Sequence, residues 1–278
     1  MSEHYVLKIF PFNNDKKCIV CVITGSDGGI TWARKIALQF NANGIPACAF
    51  VYWHYKMLPK DLSCIPIESI EDMVSKLKKQ GYKKIYLYGF SKGAEQALVA
   101  SIYFSDIDGV IAVSPSCAVF EGFSTKGYSD HFAWTYRGQE LPYIKAQVKN
   151  FNIAKMYLSQ GGYAFLNNFT KALEKGFSEE NRIKIENANC PILLISSQDD
   201  SIWPSKKMGD ILMQKLKTIS YPYSYQHIVY PKSSHILCPV KSVKLKIFPQ
   251  DRKYAKNCKL ARKHAFEASV EWIKNHTN

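Results

Sequence analysis

The chain has 278 residues, of which 46% are hydrophobic, and it carries 37 basic and 23 acidic side chains for a formal net charge of +14. This length suits one large domain, and the apolar content excludes a mostly disordered chain. We interpret the basic residues as scattered over a solvated, lysine-rich surface, which favours anionic small molecules but predicts no nucleic-acid partner.

Apolar runs and amphipathic segments alternate along the chain. Strands are predicted at 16–24, 46–53, 83–90, 109–114, 190–196 and 223–230. Helices are predicted at about 31–40, 67–80, 91–104, 205–218 and 254–275. Near-continuous apolar strands that alternate with helices are typical of a parallel sheet buried on both faces. The pattern predicts a single α/β domain over 1–278, with a mostly parallel central sheet and helices on both faces.

Residues 120–185 interrupt this alternation. They separate two predicted strands by far more than one crossover helix requires, and they are rich in Tyr, Phe, Gly and Asn. We expect a cap-like insertion over the carboxyl edge of the sheet, where ligands bind in such folds. The alternative is a structural insertion that does not contact substrate.

A G-x-S-x-G motif lies between the strand at 83–90 and the helix that follows it. It reads Gly89-Phe90-Ser91-Lys92-Gly93. Both glycines suit a sharp strand-to-helix turn that exposes the serine hydroxyl, as in the α/β-hydrolase fold. The motif therefore predicts Ser91 as a nucleophile, the alternative being a plain strand–helix turn.

A serine nucleophile needs a base and an orienting carboxylate, which follow it in the order acid, then histidine, in this fold. Asp200 follows a predicted strand and stands four residues before Pro204, so we favour it over its neighbour Asp199 as the acid. His235 follows the last predicted strand by five residues and is favoured as the base over His227, which lies within that strand.

An acyl-transfer site also needs amide donors for the oxyanion. We expect one from Lys92, the residue after the nucleophile, and one from the glycine-rich loop at 24–29. Ser26 is the favoured donor of that loop, with Asp27 as the alternative.

The eight cysteines are interpreted as buried, reduced thiols, because a chain of this length needs no disulfides. Cys18 and Cys21 should face opposite sides of a strand, and no second pair follows at zinc spacing. We expect no metal or cofactor, no signal peptide, no membrane span and a cytoplasmic location. The oligomeric state is left open.

Five segments, GSDGG, GFSKGAEQAL, RGQELPY, ISSQDDSIWPS and YPKSSHIL, resemble the C-terminal catalytic domain of the acyl-CoA thioesterase and bile acid-CoA:amino acid N-acyltransferase family. That domain is a dienelactone-hydrolase-like α/β-hydrolase. The resemblance spans about 16–275 and implies Ser91 as nucleophile, Asp200 as acid and His235 as base. It implies an acyl-CoA thioester as substrate.

Two departures from that family shape the expectation. Only some fifteen residues precede the first predicted buried strand, so we expect this chain to lack the β-sandwich domain of eukaryotic members. The family's acyltransferases use cysteine where this chain has Ser91, which implies hydrolysis. The rival interpretations are a carboxylesterase acting on small oxygen esters, an acyl-CoA:amino acid N-acyltransferase, and a non-catalytic binding protein.

Overall fold

The computed structural model describes residues 4–10, 15–124, 127–146 and 162–277. In this part of the chain the strands, in order, are β1 (Val6–Ile9), β2 (Cys18–Ile23), β3 (Ala47–Val51), β4 (Ile65–Pro66), β5 (Lys84–Phe90), β6 (Gly109–Val113), β7 (Glu121–Ser124), β8 (Gly127–Phe132), β9 (Trp134–Tyr136), β10 (Gln139–Glu140), β11 (Ile192–Ser197) and β12 (Tyr225–Tyr230). The α-helices are α1 (Thr31–Ala42), α2 (Glu68–Lys79), α3 (Lys92–Tyr103), α4 (Gly162–Gly176), α5 (Ser205–Thr218), α6 (Pro249–Lys253) and α7 (Ala255–Thr277). Short 3₁₀ helices lie at Ile185–Asn187 and Val243–Ile247.

Seven strands form the central sheet in the order β1-β3-β2-β5-β6-β11-β12. Every neighbouring pair is parallel except β1 and β3. The α/β class and the mostly parallel sheet are therefore confirmed. Because the carboxyl ends of parallel strands meet at one edge, the loops after β2, β5, β11 and β12 are brought together.

Helices cover both faces of this sheet, as the continuous apolar strands predict. Alternate residues of β2 enter different cores: Ile19 and Cys21 pack on one side, and Val20 and Val22 on the other. The first core is covered by α2, α3 and α5, and the second by α1 and α7. Cys18 and Cys21 accordingly lie on opposite faces, as expected.

The predicted strands and helices all form, with ends shifted by a few residues. The sequence analysis missed β1, a four-residue edge strand that is only partly buried. It pairs antiparallel with β3, for example Val6 with Val51. This strand lacks the fully apolar run that marks the buried parallel strands.

The insertion predicted at 120–185 lies partly outside the described residues, at 125–126 and 147–161. Its described part contains the antiparallel pair β7–β8, the strands β9 and β10, and helix α4. Strand β9 also pairs with β4, so the insertion joins a small second sheet with the chain before α2. Its role as a cap stays a prediction.

All eight cysteines are free thiols, and seven of them are buried. Cys64 is exposed, so the expectation of a buried thiol was wrong there; it lies in a loop before β4 rather than in a strand. Within the described residues, none of the helices combines the length and apolar character needed to cross a bilayer.

Candidate active site

Ser91 lies in a strained turn between β5 and α3. Its backbone has φ 54° and ψ −124°, a region that residues with a side chain rarely adopt. The flanking glycines permit the turn, because a Cβ at Gly89 would lie 2.2 Å from the Gly93 carbonyl oxygen and one at Gly93 would lie 2.4 Å from the Thr24 carbonyl oxygen. The Ser91 amide donates to the Val113 carbonyl at 2.9 Å, which holds the turn against β6.

The structure brings His235 and Asp200 to Ser91. His235 Nε2 lies 2.9 Å from Ser91 Oγ, and His235 Nδ1 lies 2.8 Å and 3.0 Å from the two carboxylate oxygens of Asp200. These three side chains come from the loops after β5, β12 and β11. They form one continuous hydrogen-bonded chain, in which the imidazole can accept a proton from the serine while the carboxylate orients the ring.

The two neighbouring aspartates have different partners. Asp200 Oδ1 accepts the amides of Ile202 at 2.9 Å and Trp203 at 3.4 Å, besides its contact with His235. Asp199 Oδ2 instead accepts the Lys232 amide at 2.7 Å, which connects the loop after β11 with the loop that carries the histidine. Asp200 is therefore the carboxylate that contacts the imidazole.

The imidazole is held by its surroundings. His235 is buried, its carbonyl accepts the Ser114 hydroxyl at 2.6 Å, and its ring packs edge-on against Trp203 at 5.7 Å between centroids. Phe248 lies on another side, at 6.3 Å. His227, the rejected candidate, lies in β12 and contacts Ser196 and Asp210 instead; burial lowers its pKa.

Ser26 and Lys92 border the same cavity as Ser91. The loop that carries Ser26 lies directly against the turn at Ser91, because a Cβ at Gly25 would lie only 2.8 Å from the Phe90 carbonyl oxygen. The indole Nε1 of Trp53 donates to the Gly25 carbonyl at 3.2 Å. The backbone on both sides of the serine is thus held close to it.

Asp27 places a carboxyl group in this cavity. Its Oδ1 accepts the Gly25 amide at 3.0 Å, and the side chain faces the open space of the cavity. The surrounding protein reduces the hydration of this carboxyl group, and this desolvation raises the pKa of Asp27 to about 7.

A buried ion pair lies in the first turn of α3, next to Ser91. Lys92 Nζ contacts Glu95 Oε1, one turn along α3, and donates to the Phe120 carbonyl at 2.9 Å. Glu95 in turn accepts the Trp134 indole at 2.8 Å. Burial lowers the pKa of Lys92 and raises the pKa of Glu95.

Sequence reasoning missed this pair, because Lys92 was considered only for its amide. The available signal was a lysine and a glutamate three residues apart in an otherwise small and apolar helix turn. The pair fastens the first turn of α3 to the insertion.

The cavity beside Ser91 has a volume of about 700 Å³. Its apolar wall includes Trp53, Phe123, Phe165 and Trp203, and Phe123 and Phe165 come from the insertion. Lys244 also borders it. Nowhere in the described parts of the chain do three or more His, Cys, Asp or Glu side chains gather as metal ligands.

Comparison with known proteins matches residues 65–246 to the family model described as BAAT / Acyl-CoA thioester hydrolase C terminal. Human acyl-coenzyme A thioesterase 1 is 24% identical over 218 residues, which cover 77% of this chain and 48% of the relative. The mouse peroxisomal succinyl-coenzyme A thioesterase is 22% identical over 78% of this chain and 48% of its own length. The chain therefore spans about half the length of these curated relatives.

Among solved structures, the monoacylglycerol lipase of Paleococcus ferrophilus superposes with a TM-score of 0.56 at 17% identity and covers 98% of both chains. Est1E from Butyrivibrio proteoclasticus superposes with a TM-score of 0.53 at 15% identity, covering 97% of this chain and 94% of Est1E. At these identities the likeness establishes the α/β-hydrolase fold alone.

Proposed function

Because the chain belongs to the BAAT / acyl-CoA thioester hydrolase C-terminal family, we propose that it is a serine hydrolase that cleaves the thioester of an acyl-CoA. The observation that carries the proposal is the chain of hydrogen bonds from Ser91 Oγ through His235 to Asp200. It lies at a cavity with an apolar wall, which suits an acyl chain.

In the first half-reaction Ser91 Oγ attacks the thioester carbonyl carbon, and its proton passes to His235 Nε2. Asp200 holds the other ring nitrogen and stabilises the imidazolium. The tetrahedral intermediate then expels the thiolate, which takes the proton from His235 and leaves as a thiol. An acyl ester on Ser91 remains.

In the second half-reaction water attacks the acyl ester while His235 accepts a proton from it. Collapse of the second intermediate releases the carboxylic acid and returns the proton to Ser91. We propose that the amides of Lys92 and Ser26 bind the carbonyl oxygen when it becomes negatively charged, a contact that contributes about 3 kcal/mol per donor in comparable enzymes.

A thiol-release assay over acyl-CoAs of increasing chain length tests this function. Ser91→Ala should lower kcat about 10⁶-fold, since the remaining side chains cannot form the acyl-enzyme. Ser101→Ala is the matched control, because that hydroxyl lies near the other end of α3 and donates to the Leu98 carbonyl. A fluorophosphonate probe should label the wild-type protein at Ser91.

The rival functions are separate outcomes of the same assay. Faster turnover of short p-nitrophenyl esters than of any acyl-CoA would indicate a carboxylesterase. Formation of an N-acyl product on adding glycine or taurine would indicate an acyltransferase. A folded protein that neither turns over these substrates nor reacts with the probe would indicate a non-catalytic binding protein.

We also propose a cytoplasmic location. The free thiol state of all eight cysteines supports a reducing compartment. Fractionation of the source cells with compartment markers tests it, and recovery of the protein with the markers of any other compartment would contradict it.

A further inference from the structure

Positive charge is concentrated in one segment of the chain. Residues 231–263 hold ten basic side chains and one acidic side chain, and therefore nine of the fourteen excess positive charges. We expected the basic residues to be scattered, and this segment departs from that expectation. It begins immediately after β12 and contains His235.

Within this segment, Lys241, Lys244 and Lys246 lie in the stretch that leads into Ile247 and Phe248, two residues of the cavity wall. All three are exposed, and Lys244 borders the cavity that contains Ser91. Two other cations of the segment are paired: Arg262 with Asp251 at 2.8 Å and Lys263 with Glu267 at 3.7 Å. Among the described residues, Lys241, Lys244 and Lys246 take part in no ion pair.

The backbone that carries these lysines is anchored. Leu245 and Phe248, on either side of Lys246 in the chain, are buried. Arg252 Nη1 donates to the Lys246 carbonyl at 2.6 Å and to the Ile247 carbonyl at 3.2 Å. The lysine backbones are therefore fixed relative to the cavity, while the charged ends remain in water.

The position of this segment relates it to the leaving group. In a serine hydrolase the histidine protonates the departing atom, so the leaving group lies on the histidine side of the site. Phe248 packs against the His235 ring, and Ile247 and Lys244 border the cavity next to it. Exposed cations on that side would meet whatever the thiol carries.

We propose that Lys241, Lys244 and Lys246, here called the basic rim, bind the phosphate groups of the leaving thiol. This inference rests on the proposed function and assigns these three lysines to the phosphate-bearing part of the acyl-CoA. Ammonium groups bind phosphate oxygens through charge-assisted hydrogen bonds, and their field also speeds the arrival of an anionic substrate.

The test compares two substrates that share one acyl group: the acyl-CoA and the acyl thioester of N-acetylcysteamine, which has no phosphate. Lys244→Ala/Lys246→Ala should raise KM for the acyl-CoA at least about tenfold and leave kcat unchanged, because only binding of the phosphates is lost. The N-acetylcysteamine thioester should be hydrolysed equally by both proteins. Added salt should raise the wild-type KM for the acyl-CoA more than that of the variant.

Lys79→Ala/Lys83→Ala is the matched control. It removes the same charge from exposed lysines next to the amino end of β5, at the opposite edge of the sheet from the active site. An equal rise in KM in this control would mean that the substrate responds only to the net positive charge of the protein. That result would overturn the proposal that the basic rim binds phosphate. Equal loss of both substrates in the rim variant would also overturn it, since phosphate would then be irrelevant.

Direct binding separates failure of the rim from failure of the proposed function. If the wild-type protein hydrolyses no thioester, calorimetry with free CoA still tests the rim: binding that the rim variant loses supports it, and no binding overturns it. The wild-type protein could instead bind DNA or anionic lipid vesicles more tightly than CoA, with that binding lost in the same variant. This result would assign the rim to a different ligand and overturn the proposal.

Discussion

The two sides of the active-site cavity are built in different ways. The side with Ser91, Asp200 and His235 consists of short loops at the carboxyl ends of sheet strands, and hydrogen bonds fix each side chain. The other side consists of apolar side chains from the insertion, such as Phe123 and Phe165. We therefore expect substitutions on the hydrogen-bonded side to affect the rate of the reaction, and substitutions on the apolar side to affect the choice of acyl chain.

The largest loss of activity is expected from a change on the hydrogen-bonded side. Asp200→Asn should lower kcat about 10⁴-fold, because an amide favours the wrong imidazole tautomer and cannot stabilise the imidazolium. Steady-state kinetics with an acyl-CoA measures the effect.

Asp199→Asn provides the control for that change. It is the adjacent residue, and its side-chain oxygen can still accept the Lys232 amide, so kcat should stay within a few-fold of wild type. Similar losses in the two variants would mean that the loop, rather than the contact with His235, sustains activity.

On the apolar side the expected effect is smaller and depends on the substrate. Phe165→Ala enlarges the cavity and should lower kcat/KM about tenfold or more for long acyl chains, since lost apolar contact is worth about 1–3 kcal/mol. Acetyl-CoA should be affected less. Kinetics across a chain-length series measures the difference.

Phe177→Ala removes the same ring from a half-exposed position just after α4, away from the active-site cavity. It should leave the chain-length preference unchanged. A uniform loss for all chain lengths in Phe165→Ala would show that the insertion supports the fold rather than acyl selection.

The smallest expected effect concerns Asp27, which lies where the two sides meet. Its raised pKa of about 7 means that it ionises as the pH rises through that value, which places negative charge near the developing oxyanion. Activity should therefore fall a few-fold above pH 7 in the wild type and hold in Asp27→Asn. A pH–rate profile of both proteins checks this, and parallel alkaline limbs would refute it.

The same ionisation predicts a trend in stability. The folded protein holds the Asp27 proton more tightly than the unfolded chain, so the free energy of unfolding should decrease as the pH rises from about 4 to about 7. Asp27→Asn should lack this contribution. Denaturant unfolding at pH 5 and pH 8 measures the difference between the two proteins.

Much of the fold was predictable because its strands are unusually apolar. The run CIVCVI of β2 is fully buried, and so are strands β3, β6 and β11. Strand β1, strand β4 and the strands of the insertion escaped prediction: β4 and β10 have only two residues, and β1 is only partly buried.

The candidate site also contains residues that the sequence predicts and residues that it does not. The positions of Ser91, Asp200 and His235 follow from chain order, because a parallel sheet brings successive loops to one edge. The Lys92–Glu95 pair and the basic rim depend on which side chains meet across distant segments. Local spacing does not encode that information.

The buried pair next to Ser91 bears on how this scaffold can be re-engineered. A foreign insertion grafted between β6 and β11 would remove the Phe120 carbonyl and the Trp134 indole that satisfy Lys92 and Glu95. The ion pair next to Ser91 would then lose these hydrogen-bond partners, and each buried polar group left unsatisfied costs about 1–3 kcal/mol. Chimeras with new specificity therefore require the insertion and helix α3 to be exchanged as one unit.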